Sequence, residues 1–189
     1  ISAYLSSIFF FEQAGSLEGV AHSYHNLGTT YERADDLDTA ELYYRKSMQV
    51  SYEIDDITMI GSTLLNRSQL WLKRGDISMA EALCRQAISK VEDLNNPMIR
   101  AEGFQTLGQI YYEKKELVLA RKLFCLAYRI NRQCQNIIGL ATSGYHYGKS
   151  LMEQNYPERG KRYLAVAKDI YEKVGDEEGI KKVDQLING

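Results

Sequence analysis

One short segment of this chain recurs four times at a constant spacing of 40 residues. Small residues recur at two positions of the segment, and a large side chain recurs at a third. Consecutive members of each set differ by 40 in number, without one insertion: Gly28, Ser68, Gly108 and Gly148; Ala40, Ala80, Ala120 and Gly160; Tyr31, Trp71, Tyr111 and Leu151. Such a period predicts an array of similar structural units stacked in sequence.

Each unit is predicted to be a hairpin of two helices. In the first copy, apolar residues at i, i+3, i+4 and i+7 form one helical stripe, namely Tyr24, Leu27, Gly28 and Tyr31. A polar turn follows at residues 34–36. The second helix then has its own stripe on one face, formed by Ala40, Tyr43, Tyr44 and Ser47. Pro157 stands where the second helix of the fourth copy begins, a position that tolerates a missing N–H.

Small residues predict close contact between the two helices of a hairpin. A glycine inside a helix costs about 1 kcal/mol relative to alanine, so its recurrence needs a compensating gain in packing. The second copy differs, because Arg67 and Ser68 replace the Leu27–Gly28 pair of the first. Since a buried unpaired guanidinium is costly, we expect Arg67 to reach solvent or to find a carboxylate.

The repeated residues resemble the tetratricopeptide repeat. The matching positions in the first and third copies, with two alanines of the later second helices, are Leu27, Gly28, Tyr31, Ala40, Tyr44, Leu107, Gly108, Tyr111, Ala120, Phe124, Ala127 and Ala167. The period of 40 is similar to the long-repeat subgroup found in kinesin light chains, polarity adaptors and bacterial regulators that sense peptides. This resemblance implies an all-α, right-handed solenoid of antiparallel helix hairpins, with the first helices lining its concave wall.

The same register predicts how the chain is divided. We expect one solenoid over residues 1–189, in which the N-terminal part matches a second helix and the C-terminal part matches a first helix that caps the array. The expected segments are 1–13 for the truncated repeat, 17–56, 57–96, 97–136 and 137–176 for the four repeats, and 177–189 for the cap. Because the chain opens on Ile1 rather than on methionine, we expect it to be a piece of a longer protein.

The N-terminal helix is expected to expose an apolar face. The predicted register lacks the first helix of this truncated repeat. Four apolar residues of the N-terminal helix are therefore left without a partner: Leu5, Ile8, Phe9 and Phe11. Exposed apolar faces of this kind mark interaction sites. A homodimer through this helix is therefore one expectation.

Composition excludes several classes of partner. A formal net charge of -2 and a pI near 6.0 argue against nucleic-acid binding through overall charge. No run approaches the roughly 18 apolar residues of a membrane span, so no membrane partner is expected. The three cysteines, Cys84, Cys125 and Cys134, include no C-x-x-C pair and favour buried thiols in a reducing compartment, so we expect a cytoplasmic location.

The wall formed by the first helices is polar in this chain. Positions opposite the packed stripe carry amides, hydroxyls and mixed charges, and His25 and Leu65 flank them. The candidate peptide-binding residues are His22, Asn26, Thr29, Arg33, Ser62, Asn66, Gln69, Lys73, Glu102, Gln105, Gln109, Tyr112, Tyr145, His146 and Lys149.

These side chains favour a groove for an extended peptide. Amides both donate and accept hydrogen bonds, which suits a peptide backbone, and the resemblance places peptide-gripping asparagines at Asn26 and Asn66. The alternative interpretation is an ordinary solvated helix face. A carboxylate clamp like that of chaperone adaptors would use Arg33, Asn66 and Lys73, but Glu102 in the third copy opposes it.

Two classes of function remain open. The first is a scaffold that holds an extended peptide or partner segment in the groove. The second is a ligand-sensing domain that regulates an attached DNA-binding or signalling effector, and a self-assembly scaffold is a third alternative. The full-length gene would distinguish the first two through the presence of an effector domain.

Charge is divided unequally along the chain. Residues 1–94 carry 8 basic against 14 acidic side chains, and the remainder carries 15 against 11. The excess of basic residues lies on predicted second helices and indicates either a docking patch for an acidic partner, a contact between molecules, or a solvated face. The residues are Arg121, Lys122, Arg129, Arg132, Arg159, Lys161, Arg162 and Lys168.

No motif indicates enzymatic chemistry. The three histidines form no H-E-x-x-H pattern, and neither a phosphate-binding glycine loop nor a nucleophile elbow is present. The pairs Asp35–Asp36 and Asp55–Asp56 fit helix capping. We therefore expect no enzyme, no metal site and no cofactor.

Overall fold

All regular structure in the described part of the chain is helical. The computed structural model describes residues 1–92 and 96–188, and no strand occurs among them. The described helices are α1 (Ser2–Gln13), α2 (Leu17–Arg33), α3 (Leu37–Glu53), α4 (Ile57–Lys73), α5 (Ile77–Lys90), α6 (Pro97–Glu113), α7 (Leu117–Gln133), α8 (Ile137–Glu153), α9 (Pro157–Val174) and α10 (Glu177–Asn188).

The helices group into two compact units. Unit 1 is Ile1–Asn95 with α1 to α5, and unit 2 is Asn96–Gly189 with α6 to α10. In each unit every helix packs on the next, and the first helices of successive hairpins also touch, α2 with α4 and α6 with α8. The predicted repeat boundaries stay a prediction, and two of the predicted segments, 57–96 and 177–189, include residues 93–95 and 189, which lie outside the described part.

The paired aspartates shape the turns of unit 1. Asp35 and Asp55 have positive φ angles of 61° and 53°, which lets the chain reverse at the end of a helix. Asp36 and Asp56 then cap the next helices, because their carboxylates accept the N–H groups of Thr39 at 3.1 Å and of Met59 at 2.9 Å. Capping therefore accounts for these acidic pairs.

Recurrent glycines bring the two helices of a hairpin together. A Cβ atom built on Gly28 would lie 2.5 Å from the ring of Tyr44, and one on Gly108 would lie 2.6 Å from Phe124. At Gly148 it would lie 2.9 Å from Leu164. A large side chain of the second helix thus fills the space that the glycine leaves, as the sequence predicts.

Arg67 finds a carboxylate, which confirms the expectation. Its Nη2 donates to Glu41 Oε1 at 2.6 Å and its Nε donates to Oε2 at 3.0 Å. Arg45, on the same helix as Glu41, adds a third contact at 2.8 Å. These bonds satisfy the Glu41 carboxylate inside unit 1, where the residue is 7% exposed.

The helices α1 and α10 each have an apolar contact face. In α1, Ile8 is buried against α2, whereas Phe9 and Phe10 are 57% and 67% exposed. Ile8 is therefore not part of the exposed face that the sequence predicted. In α10, Val183 is fully buried among residues of α8 and α9.

Among the described residues, no helix combines the length and the apolar character needed to span a membrane.

Candidate functional site

In unit 1, polar side chains join the two neighbouring first helices α2 and α4. His25 Nδ1 lies 2.9 Å from Thr63 Oγ1, and its Nε2 lies 3.2 Å from Asn66 Nδ2. Because an amide nitrogen only donates, Nε2 must accept, and Nδ1 carries the proton that is donated to Thr63. The imidazole therefore bridges α2 and α4 in one tautomer.

The electrostatic surroundings keep this imidazole neutral. Burial, followed by the nearby His22, lowers the pKa of His25 to about 4, while Glu32 acts in the opposite direction. At neutral pH the ring is uncharged and both of its nitrogens are engaged. It is therefore not free to act as a general base.

A shared carboxylate lies on the same face. The Tyr44 hydroxyl donates to Glu32 Oε2 at 2.7 Å, and Lys73 Nζ donates to Oε1 at 2.6 Å. Burial raises the pKa of Tyr44 well above its usual value, so the phenol stays a donor. Since Lys73 is neutralised by Glu32 in this way, the carboxylate-clamp hypothesis loses one of its cations.

Unit 2 has a corresponding bridge between α6 and α8. Gln109 Nε2 donates to His146 Nε2 at 3.1 Å, and the His146 ring stacks on Phe124 with a centroid separation of 5.2 Å. Tyr145 meets the same imidazole edge-on at 5.2 Å. Burial lowers the pKa of His146 to about 4, with smaller contributions from the Lys149 and Lys182 charges.

A second polar cluster follows along α6 and α8. Tyr112 donates to Glu153 Oε1 at 2.7 Å, and Lys149 Nζ lies 4.8 Å from the Tyr112 ring centroid and 4.0 Å from the same carboxylate oxygen. Burial, followed by the hydrogen bond to Glu153, raises the pKa of Tyr112 to about 12. Nearby, burial raises the pKa of Glu102.

All fifteen candidate residues retain some solvent exposure. Those that are exposed are His22, Asn26, Arg33 and Lys73. Those that are half-buried are Thr29, Ser62, Asn66, Gln69, Glu102, Gln105, Gln109, Tyr112, Tyr145, His146 and Lys149. The structure brings Gln109 and Tyr145 to His146 and Tyr112 to Lys149, whereas direct contacts with another candidate are not seen within the described residues for His22, Asn26, Arg33 or Ser62.

Sequence reasoning missed several partners of these residues. His25 was assigned only to the flank, although it binds Asn66. Thr63, which binds His25, and Glu32, which binds Lys73, were not identified. Leu65, the other flanking residue, is fully buried. A usable signal exists in the spacing, because the three bonds His25–Asn66, Glu32–Lys73 and Tyr112–Glu153 all join residues 41 apart.

The side chains of these faces are suited to binding through hydrogen bonds. They combine fixed amides, hydroxyls and paired charges, and the two titratable rings are held neutral with hydrogen bonds already made. Within residues 1–92 and 96–188, no group of three or more histidine, cysteine or carboxylate side chains could hold a metal ion. The absence of a cofactor and of catalysis stays a prediction.

Comparison with known proteins identifies the repeat. Residues 20–53, which contain most of α2 and α3, match the tetratricopeptide repeat family model. A search of curated protein sequences gives no match.

Solved structures share the fold over nearly the whole chain. The Rap conjugation gene regulator of plasmid pLS20, in complex with the Phr* peptide, has a TM-score of 0.81 at 18% identity over 97% of this chain and 53% of its own. BtubC (BKLC) from P. vanneervenii has a TM-score of 0.70 at 17% identity over 92% of this chain and 72% of its own.

A third structure comes from Pyrococcus horikoshii. It is a signal transduction ATPase with numerous domains that has a tetratricopeptide repeat sensor, and it has a TM-score of 0.71 at 13% identity. The match covers 98% of this chain but 31% of the ATPase. The predicted tetratricopeptide repeat and the predicted fold class of a helical solenoid are therefore confirmed.

Proposed function

We propose that this chain is a scaffold that binds an extended peptide or partner segment on the polar faces of its first helices. The observation that carries the proposal is the hydrogen bonding of two side-chain amides that bridge neighbouring first helices. Asn66 and Gln109 each donate to a histidine ring, while their amide oxygens accept no hydrogen bond from the described residues. These oxygens are fixed in position and available to the N–H groups of a peptide.

Similarity to a peptide complex supports the proposal. The Rap regulator was solved with the Phr* peptide, and its fold covers 97% of this chain. An extended peptide needs hydrogen-bond partners for its own backbone, and the first helices of both units present such groups. Because each contact contributes little, the affinity depends on many of the fifteen candidate residues together.

A pair of asparagine substitutions tests this function. A peptide would be selected against the wild-type chain from a random library displayed on phage, and its affinity measured by isothermal titration calorimetry. We expect Asn26→Ala with Asn66→Ala to weaken binding at least about tenfold, because two hydrogen bonds are lost. Gln49→Ala, an exposed amide on the second helix α3, is the matched control and should leave affinity unchanged.

Two results would reject the groove. One is a selected peptide that binds the double variant as tightly as the wild type, with helicity intact by circular dichroism. The other is that repeated selections yield no displayed peptide whose binding is displaced by an excess of the same free peptide.

A ligand-sensing regulatory role is a second candidate. The chain spans about half of a gene regulator and about a third of an ATPase with a repeat sensor. In this role, ligand binding would shift the curvature of the solenoid and so control an attached effector. Small-angle scattering with and without the selected peptide distinguishes the two, because a regulatory domain should change its radius of gyration and a rigid scaffold should not.

Self-association through α1 is a third candidate. The exposed rings of Phe9 and Phe10 contact each other at 5.7 Å and would be covered in a homodimer. Sedimentation velocity should then show a dimer that Phe9→Lys with Phe10→Lys dissociates. A wild-type chain that stays monomeric at every concentration would exclude this dimer.

We further propose that the chain is cytoplasmic and not an enzyme. Cys84, Cys125 and Cys134 are free thiols, which suits a reducing compartment. The repeat fold is typical of binding scaffolds. In the His25–Thr63 pair of the polar face the imidazole donates to the hydroxyl, so it is not arranged as a base for that hydroxyl.

A further inference from the structure

Unit 2 contains a basic pocket on the side of α8 away from the polar face. Its cavity has a volume of about 350 Å³ and lies between α7, α8 and the start of α9. Arg121 and Lys122 of α7, Tyr147 of α8, and Tyr156 and Arg159 at the start of α9 all line it. It contains none of the candidate peptide-binding residues.

The cations of this pocket converge without a counter-charge. The guanidinium carbons of Arg121 and Arg159 lie 5.2 and 5.9 Å from the ring centroid of Tyr156, so both arginines are held against one aromatic ring. Among the described residues, no ion pair joins Arg121, Lys122 or Arg159 to a carboxylate.

Neighbouring carboxylates are engaged elsewhere. Glu116 at the start of α7 lies 3.9 Å from Lys114, and Glu158 at the start of α9 lies 3.5 Å from Lys161. The α9 N-terminus, which lacks a side-chain cap, adds partial positive charge to the same end of the cavity. The pocket thus has an excess of positive charge.

Unit 1 has the opposite charge at the corresponding position. The starts of α7, α8 and α9 follow those of α3, α4 and α5 by 80 residues, so Arg121 corresponds to Glu41 and Tyr147 to Arg67. In unit 1 the Glu41 carboxylate accepts from Arg67 at 2.6 Å and from Arg45 at 2.8 Å. In unit 2 Arg121 replaces that carboxylate, and the neutral Cys125 and Tyr147 replace Arg45 and Arg67, so the sign of the charge at this position is reversed.

We propose that this pocket binds a phosphate monoester, whose dianion pairs with the cations Arg121, Lys122 and Arg159 that line it. Two guanidinium groups match the geometry of phosphate oxygens, and a third cation with a tyrosine wall suits a doubly charged group better than a single carboxylate. The monoester is either a small metabolite or a phosphorylated side chain. The site is independent of the peptide-binding proposal, because it uses other helices and another face of α8.

Calorimetric titration with phenyl phosphate tests the site. We expect saturable binding that Arg121→Gln and Arg159→Gln each weaken at least about tenfold, because each removes a charge-assisted hydrogen-bonding fork. Arg162→Gln makes the same charge change on α9 outside the pocket and should alter affinity less than about twofold. Arg121→Glu, which restores the carboxylate found in unit 1, should abolish binding without lowering the melting temperature.

The ionisation of the ligand gives a second readout. The second pKa of a phosphate monoester is near 6, so phenyl phosphate should bind more weakly at about pH 5 than at about pH 7. Benzoate, which stays a monoanion over that range, should bind weakly and without this change. Equal binding of benzoate and phenyl phosphate, absence of saturation, or equal loss in Arg162→Gln and Arg121→Gln would overturn the proposal.

The source of the phosphate is distinguished by a peptide. A phosphotyrosine peptide that binds more tightly than phenyl phosphate, while its unphosphorylated form does not bind, supports a phosphorylated side chain. Equal affinity of the two phosphates supports a small metabolite. In both cases Asn26→Ala with Asn66→Ala should leave the affinity unchanged.

Discussion

At the scale of single residues, the two bridging histidines determine both the contacts between neighbouring first helices and the response of the chain to pH. His25 and His146 are neutral at physiological pH because burial lowers the pKa of each to about 4. Each connects two neighbouring first helices through a ring nitrogen. They therefore hold neighbouring first helices together at the polar faces. They also make the free energy of unfolding depend on pH.

The two histidines predict a loss of stability in mild acid. In the unfolded chain each ring takes up a proton near its ordinary pKa of 6.5, whereas the folded chain resists protonation down to about 4. Lowering the pH through this window therefore favours unfolding, by at most about 3 kcal/mol per histidine.

Swapping residues between the units checks this dependence. His25→Gln introduces the residue that unit 2 has at Gln105, and His146→Asn introduces the residue that unit 1 has at Asn66. Urea denaturation at about pH 6.5 and about pH 5 should show a smaller loss of stability in the double variant than in the wild type. Equal losses would show that the histidines do not cause it.

Glycine packing predicts an asymmetry between two alanine substitutions. A Cβ at Gly108 would lie 2.6 Å from Phe124, whereas one at Gly144 would meet its nearest neighbour, Tyr128, at 3.3 Å. We expect Gly108→Ala to lower the free energy of unfolding by about 1–3 kcal/mol through overpacking. Gly144→Ala should change it by less than about 1 kcal/mol, since helix propensity offsets the tighter contact.

Urea denaturation of both glycine variants provides the measurement. Equal stabilities would mean that Phe124 moves aside without cost, and the close approach of α6 and α7 would then not depend on the glycine.

At the scale of helices, the sequence predicted the elements well and their mutual contacts poorly. The apolar stripe at Tyr24, Leu27 and Tyr31 repeats with the period of a helix, so helices and turns follow from local pattern. Bonds such as Glu32–Lys73 join different hairpins and depend on the rotation of one helix against another. A stripe drawn on a single helix contains no information about that rotation, which is why Glu32 and Thr63 were missed.

The Glu41–Arg67 pair between α3 and α4 gives the next prediction. Glu41→Gln leaves the half-buried Arg67 without its counter-charge and should cost about 3–5 kcal/mol. Glu41→Leu with Arg67→Leu should recover most of this loss, because both buried charges are then removed. Arg45→Gln is the control and should cost less than about 1 kcal/mol, since the Arg45 side chain is 66% exposed.

The single tryptophan, Trp71, reports this unit selectively. It packs beside Ala40, Tyr44 and Leu70 in unit 1, so its fluorescence follows the unfolding of that unit in urea. Additive losses in the Leu–Leu double variant would show that Glu41 and Arg67 do not stabilise each other. Because burial alone would raise the pKa of Glu41 and the arginine contacts overcome it to lower that pKa, the contribution should also decline in acid.

At the scale of the whole molecule, one period determines the fold and leaves two kinds of surface. The first helices present polar faces with fixed amides, and the second helices of unit 2 present the basic pocket. The period was readable from sequence because it repeats without insertion, and the structural neighbours confirm the fold it predicts. The pocket could not be predicted from the sequence, because a list of basic residues such as Arg121 and Arg159 does not show which of them lie close together in the fold.

Chemical-shift mapping of the peptide complex tests the central claim most directly. With a phage-selected peptide added to the ¹⁵N-labelled chain, we expect the largest amide shifts on α2, α4, α6 and α8, around Asn26, Asn66 and Gln109. Shifts confined to the second helices α3, α5, α7 and α9 would contradict the account, because the peptide would then bind a face other than the polar one.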